Sequence, residues 1–118
     1  MVQQFSNIAT LLEYAQDNSL YNELVIQLKK DFTLANVYVD FPDDVLPMDL
    51  KTIIHEKIYY LMMERFTEYL NLLYIVDVPE KVVKAIKSND VVEISGEVSF
   101  EILKREWQKV WFRKKYGS

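Results

Sequence analysis

LKTIIHEKIYYLMMERFTEYLNLLY, Leu50–Tyr74, has no glycine or proline, and its apolar residues keep one spacing throughout. Leu50, Ile54, Ile58, Leu61, Met62, Phe66, Tyr69, Leu72 and Leu73 recur three or four residues apart, which gathers them on one side of an α-helix. Thr52, Glu56, Tyr60, Thr67 and Asn71 fall on the other side. A continuous helix here would be about 37 Å long, against a radius of gyration of roughly 13 Å for a chain of this size. Such a rod would cross the whole domain and serve as its organiser.

The flanking segments read as shorter helices. In FSNIATLLEYAQD (5–17), Ile8, Leu11, Leu12 and Ala15 share a face, and Ser6 or Asn7 is placed to cap the first free N–H groups. After Asn18-Ser19 a second amphipathic stretch follows, with Leu20, Tyr21, Leu24, Val25, Leu28 and Phe32 on one side. The two form an expected helical hairpin. Residues 33–41 alternate Val37, Val39 and Phe41 with Tyr38 and Asp40, as a half-buried strand does. An isolated strand has no ladder to join, so an extended segment packed on helices is the favoured reading. Pro47 suits the first turn of the long helix.

Asp77-Val78-Pro79-Glu80 has the form of a capping box opening a helix to about Ser88, with Asn89 and Asp90 stopping it. Ser99 is an N-cap candidate for a last helix, Phe100–Lys115. The expected architecture is therefore a single all-α domain of about five helices packed around one central rod. The alternative is an α+β fold with a small two-stranded ribbon.

Composition bounds the function. The 118 residues are half hydrophobic, with two Gly, three Pro, no Cys and one His. Without cysteine there is no disulfide framework, thiolate zinc site, iron–sulfur cluster or thiol nucleophile, and nothing points to an oxidising compartment. The first sixteen residues lack a basic leader and no apolar run reaches eighteen residues, so a soluble cytoplasmic protein is expected. His55-Glu56 starts like a zinc-protease helix, but position 59 is Tyr, and one His cannot supply a His-rich metal centre or a di-iron bundle. Asp40, Asp43, Asp44 and Asp49 lack the Gly and Glu of an EF-hand loop and read as solvated helix-start carboxylates. No metal, cofactor or catalytic residue is expected, and an enzyme is disfavoured.

Two groups of residues remain as candidates. Arg65 falls inside the apolar stripe, within reach of Glu68 and Tyr69, so it reads as a buried ion pair or as the anion-reading group of a small-molecule ligand pocket. The C-terminal stretch mixes aromatic and basic residues: Arg105, Trp107, Lys109, Trp111 and Arg113 form an interaction surface candidate, weighed against an ordinary core stripe with cations at the helix C-terminus. Residues 97–118 sum to +3 and the remaining 96 to −7, giving the net −4. That imbalance disfavours nucleic acid and an anionic membrane surface as partners. The expected function is a non-catalytic interaction or accessory protein acting through helix faces, with a protein partner or a homodimer. The alternatives are a small-molecule-binding helical domain and a peripheral binder of an anionic surface through the last helix.

Overall fold

The computed structural model describes residues 3–117, which are all-α: six helices, with no strand among the described residues. They are α1 (Ile8–Asp17), α2 (Tyr21–Leu34), α3 (Pro47–Glu64), α4 (Phe66–Val76), α5 (Glu80–Lys84) and α6 (Val91–Tyr116). The two-stranded ribbon is not formed. Val37, Phe41 and Val45 instead bury themselves from an extended loop, which the Tyr21 hydroxyl fastens by donating to the Val45 carbonyl at 2.6 Å. Burial, and then the charge of Asp49, push that hydroxyl up to about 12.

The organising rod is α6 and not Leu50–Tyr74. The 26 residues of α6 make it about 39 Å long, equal to the 39 Å long axis of the molecule, and it packs on all five other helices. The expectation that the last helix begins at Phe100 with Ser99 as its N-cap fails there. Asp90 is the true N-cap, its carboxylate accepting from the Val92 N–H at 2.8 Å, and the helix runs through Gly96 and Ser99 without interruption. Ser99 is buried inside the helix, and its hydroxyl donates back to the Ser95 carbonyl at 2.7 Å. The physical reason is close packing. Ser95, Gly96 and Ser99 form a slim face against which α3 lays His55, and a Cβ on Gly96 would stand 3.3 Å from His55 Cε1.

The stretch expected to be one helix is broken at Arg65, whose φ of −143° and ψ of 59° leave the helical region. Leu50, Ile54, Ile58 and Leu61 face the core before the break, and Tyr69, Leu72 and Val76 face it afterwards. Phe66 belonged to the stripe at ideal helical pitch, but the break turns it outward, 56% exposed.

Three helices end in a left-handed residue, Ser19, Asn36 and Asp77. In each case the following N–H reaches back five residues: Leu20 to Ala15, Val37 to Phe32 and Val78 to Leu73. These are Schellman-type ends made without glycine. Asp77 thus closes α4 and does not cap α5, whose N-cap is Pro79 with no side-chain bond. That helix stops at Lys84, well short of Ser88. Asn7 does cap α1, and Thr10 completes the capping box in place of the usual Glu.

Candidate functional site

Of the sequence-selected residues on α6, Trp107 is buried, Arg105, Lys109 and Trp111 are partly covered, and Arg113 is exposed. Trp107 is fully buried, edge-on to Phe5 and Tyr14 at ring separations of 6.4 and 5.8 Å, and its indole N–H donates to Gln3 Oε1 at 3.1 Å. Trp111 is half-buried beside it. Arg105 donates to the Asp77 carbonyl and carboxylate at 3.2 and 3.1 Å, tying α6 to the C-terminal end of α4. Arg113 donates to Gln27 Oε1 at 2.9 Å. Ile102 is core.

Lys109 is the centre of a charge cluster that the sequence reading did not find. Its ammonium lies 2.6 Å from Asp31 Oδ2 on α2 and 3.4 Å from Glu106 Oε1 one turn back on α6. Gln27 adds a bond to Asp31 at 3.2 Å. Glu106 is fully buried and neither of its oxygens receives a hydrogen bond. Burial, followed by the neighbouring Asp31, pushes its carboxyl up to about 9, with Lys109 opposing. The neutral acid can instead donate, and Asp31 accepts. Burial works to raise Asp31, but the hydrogen bonds from Glu106, Lys109 and Gln27 outweigh it and hold this carboxyl below its ordinary value. One anion, one neutral acid and one cation leave the cluster with no net charge, the arrangement in which buried ionisable groups cost least. A signal was present in the sequence: Ile102, Glu106 and Val110 are successive fourth residues, as are Leu24 and Leu28, with Asp31 and Ala35 continuing that stripe.

Arg65 does not form a buried pair. The break places it on the surface with 59% of its side chain exposed and Glu68 3.8 Å away, whereas Tyr69 is buried and burial raises its hydroxyl. The three sequence-selected residues therefore do not line one pocket. His55 sits at the α3–α6 contact, where its Nε2 lies 2.9 Å from the Val92 carbonyl and 3.0 Å from Ser95 Oγ. A carbonyl only accepts, so Nε2 carries the proton. Ser95 is itself buried and donates to that carbonyl, which leaves it no role as an accessible nucleophile. No group of three or more metal-ligating side chains occurs among the described residues.

α4 turns an apolar row to the outside. Phe66, Leu70 and Tyr74, four residues apart, are 56%, 51% and 82% exposed. Thr67 and Asn71 lie beside them, also exposed, so the row and its neighbours carry no charge; Glu68, 35% exposed, sits about 200° around the helix from Leu70. Tyr60 and Met63, exposed near the end of α3, precede the break. Among the described residues no helix is long and apolar enough to cross a membrane. Neither the protein-family models, nor the curated proteins, nor the solved structures contain a significant match to this chain.

Proposed function

We propose that this chain is a non-catalytic interaction protein that works by association through the outer face of α4. The observation carrying the reading is the row Phe66, Leu70, Tyr74, three large apolar side chains left in water on one side of a helix whose other side is core. Apolar surface is costly to leave wet, and the largest apolar patch of a monomeric protein is often its functional surface. Aromatic side chains presented on a rigid helix are the usual centres of binding energy at protein interfaces. The basic side of α6 suits this role less, because Arg105, Lys109 and Arg113 are each engaged with another part of the same chain. An anion-reading pocket loses its support with Arg65 on the surface. Catalysis by the Asp31 and Glu106 carboxyls is disfavoured by their burial, which bars a substrate from reaching them.

The test is a photo-reactive benzophenone side chain placed at position 70 in cells that produce the protein, with one at exposed Glu13 on α1 as control. Discrete adducts from position 70 that are absent from position 13, and lost with Tyr74→Glu, are expected. Equal labelling from both positions, or none from position 70, would overturn the reading.

A further inference from the structure

We infer that the occupant of the α4 face is a second copy of this chain, docked with its own α4 antiparallel and Leu70 at the two-fold axis. The inference rests on the association reading above and narrows it to one partner. Its first support is the order of the side chains. A two-fold interface uses the same patch twice, so the patch must match itself when reversed. Aromatic, leucine, aromatic at four-residue intervals does so: Phe66 of one copy meets the partner subunit's Tyr74, and Leu70 meets the partner subunit's Leu70.

Charge is the second support. Two copies of a chain of net charge −4 repel, and they approach most cheaply through an uncharged surface, such as the Phe66, Leu70, Tyr74 row with Thr67 and Asn71 beside it. A two-fold axis through Leu70 runs the paired helices antiparallel and lays one uncharged row on the other, with the Arg65–Glu68 and Arg105–Asp77 pairs outside the row. Area is the third. With roughly 200 Å² for an aromatic side chain, Phe66, Leu70 and Tyr74 together present on the order of 350 Å². That is the apolar centre of a half-interface of about 800 Å², with Thr67 and Asn71 in its polar rim.

The chain has no cysteine, so single-cysteine variants report one position each. Leu70→Cys places a thiol on the proposed axis, and Asn71→Cys places one just beside it while leaving the apolar row intact. Met48→Cys, exposed on α3 away from this face, is the control. Purified variants treated with a short bismaleimide should give covalent dimers from positions 70 and 71 and almost none from 48. Absence of linked dimer from both, or equal linking from Met48→Cys, would overturn the inference. If linking fails while the position-70 photo-adduct contains a different protein, the association reading stands and the two-fold dimer falls. If neither reagent gives a product, both fall.

Discussion

The ammonium of Lys109 stands 2.6 Å from Asp31 Oδ2, and this contact joins the C-terminal third of α6 to the last turns of α2 across a largely buried interface. Lys109 also reaches toward the Ile75 carbonyl near the end of α4, at 3.5 Å. A side chain that by sequence resembles the rim of a binding patch is therefore a cross-tie among three helices. Removing one partner of a buried pair leaves the other's charge stranded, so Lys109→Met should lower stability by about 3 kcal/mol. Glu106→Gln should be close to neutral at pH 7, because the amide has the shape of the neutral acid and can also donate to Asp31. Urea denaturation of the two variants checks the contrast; equal losses would contradict the protonation assigned to Glu106.

The same cluster sets a pH dependence. Folded, Glu106 keeps its proton up to about 9, whereas its ordinary value is 4.5. Between these values the folded state holds more protons than the unfolded one, so stability falls as pH rises, by at most about 1.4 kcal/mol per pH unit. Above the upper value this loss is complete. Asp31 acts in the opposite direction: its carboxyl is held below 3.8, so its contribution is present above that value and is lost as pH falls further. Melting curves across this range should show the wild-type Tm declining toward alkaline pH by up to about 6 °C per unit, and Glu106→Gln should flatten the decline.

Gly96 lies inside α6, where glycine ordinarily costs close to 1 kcal/mol relative to alanine. A Cβ there would press on a His55 ring that is held by bonds to the Val92 carbonyl and Ser95 Oγ and cannot readily yield. Gly96→Ala should therefore bring no stabilisation in the wild-type chain. In a His55→Ala background the same substitution should recover the helix-propensity gain. A double-mutant cycle by thermal denaturation should give a coupling of about 1 kcal/mol; additive effects would contradict the packing described.

Ser19 occupies the left-handed region with φ of 56° to end α1, and its exposed side chain is not tied to another helix. A residue with a Cβ is strained there, and glycine is not. Ser19→Gly should raise stability by about 0.5 to 1 kcal/mol, read from the denaturation midpoint.

Much of the fold could be read from periodicity, because amphipathic helices declare themselves wherever one face is buried. The α1 face and the α2 face follow from that rule, and the extended loop anchored by Val37 and Phe41 follows from two-residue alternation with no strand to pair with. The break at Arg65 did not, since no glycine or proline marks it and the apolar spacing carries straight through. What decides it is tertiary: Tyr69, Leu72 and Val76 reach the core only after the helix turns. The first third of α6 was hidden for the opposite reason. Gly96, Ser95 and Ser99 look like loop chemistry, but they are the slim residues that let α3 approach. In the candidate site, the tendency of Trp107 toward the core was legible. Partners for Lys109 and Arg113 were not, because Asp31 and Gln27 lie far away in sequence and only packing joins them. The exposed row on α4 was hidden by the same break, since Phe66 had been counted as core.

Sedimentation velocity on the wild-type chain and on Leu70→Glu, over a range of micromolar concentrations at moderate salt, bears most directly on association through α4. Leu70 is half exposed, so the variant should keep its helical circular dichroism and its melting profile at low concentration. The wild type should shift from monomer to dimer as concentration rises, and Leu70→Glu should remain a monomer. A wild-type chain that stays monomeric throughout, or a dimer that Leu70→Glu leaves intact, would contradict self-association through this face.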